Sequence, residues 1–523
     1  MIINTQERKW KMKNFKRKEV KGFTIIELVV VIAVIAILAA VLIPTFSNLV
    51  KKANMSADMQ VVKNMNTALT TDEIINGKPS TVVEAQEVLI ANGISNFKTH
   101  DNNNQYYWLG SDNRVILWDK VEFEVTYPEE YAKKFKGVDE VSSAWSLLDQ
   151  EYTIEEVTPE EGKDLKTALL DEVKAAEDGT IIKLPENSTL QLAQGGLFWL
   201  GQALNRENLE AAKVTIDLNG ATIKSDGTNA SYTKTEDGTG WQFDSDGDYQ
   251  MNILSVPANG ELILANGTID IDHGNQPSLS CFSADSGSKL VIRNMNITTT
   301  TAGILPEGDA SEVVVENSKI TAANYPIGTN RAESNNVRII INNSELTATS
   351  STALLINAPS YTHIYNSTIT GVVHALVVRA GTVDIENSTL KTTDTEPGIY
   401  SYKDFAKGYN FKSWWGTGNT LPAGTIVLGD YAKANSNGSY SYSGDVICTM
   451  SNVKLESASS SEVPEVLLAS SDASKTVSLT YSDDCSTGAI KLYGEDWTPA
   501  SDSDNVEVTI QNVGNIVVNG TKK

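Results

Sequence analysis

The sequence predicts a two-part molecule: a long N-terminal transmembrane α-helix bearing a small α+β head, followed by an all-β solenoid of stacked parallel coils. Three observations predict it. From Phe23 to Ile43 there are 21 residues with Glu27 the single charge among them. Beyond Pro44 the apolar residues Phe46, Leu49, Val50, Ala53, Val62, Met65 and Leu69 recur at roughly helical spacing, to about Thr71. Further on, a unit repeats in which apolar residues stand four and two positions before an Asn, and another stands three after it.

A helix rises about 1.5 Å per residue, so the Phe23–Ile43 run matches the ~30 Å hydrocarbon core of a bilayer. Arg8, Lys9, Lys11, Lys13, Lys16, Arg17, Lys18 and Lys21 crowd its near side, which holds that end in the cytoplasm and sends the remainder outward. Glu27 costs at least ~2.5 kcal/mol inside a membrane and so calls for a partner. A free α-amino group created at Phe23 of a neighbouring chain would serve. The stretch Lys21-Gly22-Phe23-Thr24-Ile25-Ile26-Glu27-Leu28 resembles the prepilin leader motif of type IV pilins and type II secretion pseudopilins. The resemblance implies cleavage after Gly22 by a prepilin peptidase and N-methylation of Phe23. It also implies that Glu27 aids assembly with other pilin-like subunits and that Pro44 kinks the helix. A secretory signal peptide has a shorter apolar region, roughly 7 to 15 residues. An uncleaved anchor leaves Gly22 before Phe-Thr-x-x-Glu unexplained. The leader begins at Met1 or at Met12, since Met12 to Gly22 is already a sufficient basic leader.

In chain order, residues 1–22 read as the leader and 23–71 as the membrane and assembly helix. Residues 72–135 read as a pilin-like head: a short helix around Val82–Asn92 closed by Gly93, then strands at Gln105–Leu109, Arg114–Trp118 and Val121–Tyr127. Residues 136–161 are an acidic linker. A helix at Lys163–Glu177, with Leu165, Ala168, Leu169, Val173 and Ala176 on one face, precedes a strand at Thr180–Pro185. This resembles the N-terminal cap and entry strand of right-handed β-helix proteins. The solenoid takes 162–515, and 516–523 is a C-terminal tail.

The repeat is clearest at Asn266, Asn294, Asn317, Asn343, Asn366 and Asn387, with steps of 28, 23, 26, 23 and 21 residues, and again at Asn452. Alternation points the residues four and two before the Asn into the coil. The inward residue after it falls at an odd offset, so the phase flips at the Asn. A flip needs a residue that tolerates the left-handed conformation, and Asn does so best among non-glycines. Each unit is therefore strand, Asn bend, strand, and coils about 4.8 Å apart let the Asn side chains form a ladder. The β-branched bias favours an all-strand solenoid over a leucine-rich repeat, and the resemblance is to pectin-lyase-like right-handed β-helices. Asn366-Ser-Thr and Asn387-Ser-Thr match the glycosylation pattern but read as ladder positions first.

The formal charge is -24, and loss of residues 1–22, with eight bases and two acids, takes it to -30. Such a surface repels nucleic acid, which is excluded as a partner. Three cysteines and four scattered histidines give no metal-ligand spacing, and no metal or cofactor is expected. Cys448 and Cys485 are candidates for a disulfide, with Cys281 buried as an apolar residue. No catalytic constellation stands out: Asp272-His273 and Arg379 are isolated and read as solvated, and Asp244-Ser-Asp246-Gly-Asp248 lacks the closing Glu of a calcium loop. Trp414 and Trp415, close to Tyr400, Tyr402, Phe405, Tyr409 and Phe411 in the long step between Asn387 and Asn452, are candidates for stacking on sugars or a host-surface ligand. The expected role is a minor pilin or pseudopilin-like subunit in the cytoplasmic membrane, displaying an adhesive solenoid outside the cell, with incorporation into a pilus left open. The alternative is a surface-tethered lyase or hydrolase of acidic glycans.

Overall fold

A computed structural model describes residues 25–134, 145–192, 213–226, 252–272, 280–394, 424–430, 444–458, 464–492 and 514–523, and two short strands at 232–234 and 241–243. Short breaks within these fall at 80, 111, 123, 178, 307, 330–333, 373 and 471–472. For 35–45, 47 and 48, among others, only the backbone is described. Helix α1, Ile25–Asn76, runs unbroken through Pro44. It extends beyond Thr71 to Asn76, and Thr70 and Thr71 turn their hydroxyls back onto the carbonyls of Asn66 and Thr67, at 2.7 and 2.8 Å. Gly77, at φ 89°, then ends it. Among the described residues no helix is long and apolar enough to cross a membrane; the side chains of 35–43, within the apolar run, lie outside them.

The head follows. Helix α2, Val82–Ala91, is capped by Thr81, whose hydroxyl accepts from the Glu84 amide at 3.2 Å. Strands β1 (Asn104–Leu109), β2 (Arg114–Asp119) and β3 (Glu124–Tyr127) precede a short helix α3 (Glu129–Lys134) and a strand β4 (Trp145–Leu147). They form an antiparallel sheet in the order β3-β2-β1-β4. The region read as linker thus supplies the fourth strand of the head. It also supplies the first strand of the solenoid: β5 (Thr153–Glu156) pairs in parallel with β6 (Thr180–Lys183). Between them α4 (Leu165–Ala175), with Asp164 as its N-cap, lays Ala168, Leu169 and Val173 over the first coil.

Each full coil then contributes three strands. The ones before and after each Asn stack in register: Leu262, Leu290, Val313, Ile339, Thr362, Val383 and Cys448 form one inward column. The third strands make a separate parallel sheet of nine, from Asn252–Val256 to Ile490–Leu492. Many of these are only two to five residues long, such as Leu354–Ile356 and Leu376–Val378, too short to register an alternation in sequence. The last residues are not a tail. Asn515–Val518 extends the stack, and Thr521–Lys522 folds back on it antiparallel. Asn519 and Gly520 have φ of 45° and 74°, as the two-residue hairpin turn that joins them requires. All three cysteines are free, so the pairing expected of Cys448 and Cys485 is absent. Cys448 is buried between Val383 and Leu479, and that burial pushes its thiol up to about 12.

Candidate functional site

Of the residues marked by the prepilin resemblance, Gly22 and Phe23 lie outside the described residues. Glu27 is exposed on α1. Pro44 lies within the same helix. The described apolar side chains from Ile25 to Val34 are 46% to 81% exposed, an apolar surface of the kind that faces lipid or other chains.

Farther along, α1 is covered. Val62, Met65 and Leu69 pack on Tyr106, Trp108, Val115 and Leu117 of the head sheet, with Leu89 of α2. Asp58, fully buried on this helix, accepts from the His100 amide at 2.7 Å and the Tyr106 hydroxyl at 2.9 Å, with His100 Nδ1 at 2.8 Å. Alternation sends the intervening side chains to the opposite face of the sheet. There Leu109, Ile116 and Trp118, with Val125 and Tyr131, pack on Ile263, Val291, Val314 and Ile340. Those four are the outward residues at the middle of four successive ladder strands. A buried ion pair, Arg293 Nε to Glu316 Oε2 at 3.2 Å, sits at the border. Gly110 packs against the same arginine, close enough that a Cβ would stand 3.1 Å from its Cδ. Burial also pushes the nearby Lys78 ammonium below its ordinary range, against the pull of Asp112 and Glu316. Head and first coils are therefore one packed unit. Sequence reasoning missed this, although the signal was present: Leu-Ile-Leu, Leu-Val-Ile, Val-Val-Val and Ile-Ile-Ile put an apolar residue at an outward position.

The Asn residues of the repeat stand in the left-handed region, with φ between 48° and 59°. In five of them Nδ2 donates to the Oδ1 of the coil before: Asn294 to Asn266 at 3.0 Å, Asn317 to Asn294 at 2.5 Å, Asn343 to Asn317 and Asn366 to Asn343 at 3.0 Å, and Asn452 to Asn387 at 2.8 Å. At the N-terminal end Asn266 donates instead to the carboxylate of Asp217, at 3.0 Å. All these amides point their N–H groups the same way, so a carboxylate is the complementary terminus. Burial pushes Asp217 above the ordinary carboxylate range, against these bonds. A second ladder runs beside the first. The amides of Ser318, Ser344 and Ser367 donate to the hydroxyls of Ser344, Ser367 and Ser388, at 3.1, 3.1 and 3.0 Å. This accounts for the recurring Asn-Ser pair.

Beyond the head the middle outward position changes character, from Ile340 to His363, Asp384 and Thr449. His363 Nε2 lies 3.7 Å from Glu386 Oε1, and its ring centroid 6.3 Å from that of Tyr365. Tyr361 hydrogen-bonds Asp384, and Arg338 stands over its ring at 5.9 Å while its Nε lies 3.8 Å from Glu312. These residues lie together on neighbouring coils, a grouping that sequence reasoning did not find. Arg379, expected to be solvated, is buried at 8% exposure and donates to Asn357 Oδ1 at 3.1 Å. Asp272 accepts from the Thr300 hydroxyl at 3.2 Å. His273, Asp244-Ser-Asp246-Gly-Asp248, Trp414 and Trp415 lie outside the described residues.

Residues 17–43 match the prokaryotic N-terminal methylation motif. The chain is similar to the type IV major fimbrial protein FimA of Dichelobacter nodosus, 32% identical over 108 residues. Those residues are 21% of this chain and 62% of that protein, less than two thirds of its length. Among solved structures it is similar to PfbA, a surface adhesin of Streptococcus pneumoniae, at 14% identity and a TM-score of 0.36, over 70% of this chain and 91% of that one. It is also similar to a family 28 exopolygalacturonase of Yersinia enterocolitica, at 10% identity and a TM-score of 0.29, over 72% and 79%. The solenoid rests on its own strand register, not on these overlays.

Proposed function

We propose that this chain is a pilin-like surface subunit, anchored by its processed N-terminal helix and carrying its solenoid outside the cell as a fixed arm. The match of residues 17–43 to the methylation motif, leading directly into α1, carries the reading. In it a prepilin peptidase cuts after Gly22, and Phe23 becomes the methylated N-terminus. Residues 23–43 then lie in the cytoplasmic membrane, where the exposed apolar face of α1 meets lipid or the helices of other pilin-like subunits. Glu27 meets the new ammonium group of such a neighbour, which removes the cost of an unpaired carboxylate in hydrocarbon. The head covers the outer part of α1 and, through its other face, fixes the solenoid to that helix. The solenoid serves recognition at the surface, and no step of catalysis is assigned to it.

The test is protease treatment of intact cells, with sheared surface material assayed in parallel. Cleavage of the solenoid from intact cells is expected, and Glu27→Leu should lower the sheared fraction at least tenfold. A solenoid protected until cells are lysed would overturn the proposal.

A further inference from the structure

A small polar cavity lies on the seam between head and coils, at the N-terminal end of the Asn ladder. Its volume is about 30 Å³, and Thr81 and Ser146 line it from the head, Thr215, Asp217, Ala265 and Arg293 from the coils. Val214 and Ile216 point into the coil interior, so Thr215 and Asp217 face outward by alternation. Asp217, Ala265 and Arg293 follow one another in a single outward column, on three successive coils. Asp217 and Arg293 thus stand about 10 Å apart at the backbone, two strand spacings of about 4.8 Å, with only a methyl group between them. Each leaves one buried polar atom without a partner among the described residues. Asp217, 1% exposed, accepts through Oδ1 from the Asn219 amide at 2.9 Å and from Asn266 Nδ2 at 3.0 Å, and its Oδ2 accepts from nothing. Arg293, 5% exposed, sets Nε against Glu316, and its Nη2 donates to nothing.

We propose that this cavity is a binding site for ordered water, which bridges Asp217 Oδ2 to Arg293 Nη2 across Ala265 and joins the head to the coils. Size sets the class of occupant. One water needs about 10–15 Å³ of such space, so about two fit, whereas an organic ligand needs a pocket of about 300 Å³ or more. Chemistry then selects among small species. A carboxylate oxygen takes only a donor and a guanidinium N–H takes only an acceptor, and water is both. A cation in the cavity would meet the guanidinium, and an anion would meet the carboxylate. The hydroxyls of Ser146 and Thr215 line the same space and bring the partners of each water within the usual two to four.

The bridge connects two networks that are otherwise separate. On one side Asp217 ends the Asn ladder through Asn266. On the other, Arg293 is paired with Glu316 at the border of the clamp. The seam is therefore wet at this end and apolar where Trp118 packs on the coils. Buried charged atoms keep hydrogen-bond partners, and a water that supplies them is as much a part of the contact as a side chain.

A high-resolution crystal structure of the full chain in detergent, with bromide and rubidium as the salt, tests this. Density is expected in the cavity within about 3.2 Å of both Asp217 Oδ2 and Arg293 Nη2, directly or through a second water, and without anomalous signal. An empty cavity, a direct bond between the two side chains, or an anomalous peak from bromide or rubidium would overturn the proposal. Ala265→Val reads the same site energetically. Its added methyls displace the water and strand both charged atoms, so the density should be lost and the melting midpoint should fall by a few degrees. An unchanged or raised midpoint, as methyls filling a dry hole produce, would contradict it. None of these outcomes bears on surface display, which protease treatment of cells reads separately.

Discussion

Asn343 shows how much one side chain decides in this repeat. Its backbone sits at φ 48°, its Nδ2 donates to Asn317 and its Oδ1 accepts from Asn366. Alanine there would bear about 1–2 kcal/mol of left-handed strain and lose two bonds worth roughly 0.5–1.5 kcal/mol each. Asn343→Ala is therefore expected to cost about 2–5 kcal/mol, whereas Asn343→Gly, free of the strain, should cost less by about 1–2 kcal/mol. Denaturant melts of the two variants measure the difference, and equal losses would mean that the backbone conformation contributes nothing. The bend was legible from residue type and phase alone. The partner of Asn266 was not, because Asp217 lies 49 residues earlier and only coil stacking brings it near.

Elements were legible wherever period and length were strong. The strands flanking each Asn, the head strands β1 and β2 and the cap helix α4 all announce themselves by alternation or by an apolar stripe. Those that were missed are short or non-local. The third strand of each coil is too brief to show a period. β4 and β5 hid in an acidic stretch because their partners, β1 and β6, are set by tertiary packing. The largest omission was the contact between head and coils. It depends on the outward column, and an inward-facing repeat does not ask what lies on its back. Trp118, 1% exposed, anchors that contact against the ladder strands. Trp118→Ala is expected to cost about 3–5 kcal/mol of head stability. Hydrogen exchange should then quicken in β2 while the coils from Ser360 onward keep their protection. Equal quickening throughout would contradict a local clamp.

At the scale of the whole molecule, the chain joins its N-terminal helix to a solenoid without a free hinge between their described parts. One face of the head sheet belongs to α1 and the other to the coils, so the direction of the arm is set by the helix that holds it. All of this presumes that the N-terminal stretch is processed as the methylation motif indicates. The mass of the mature N-terminal peptide, from protein recovered from cells, tests that most directly. A peptide beginning at N-methylated Phe23 is the expected result, and one that still carries Gly22 and the basic residues before it would contradict the account.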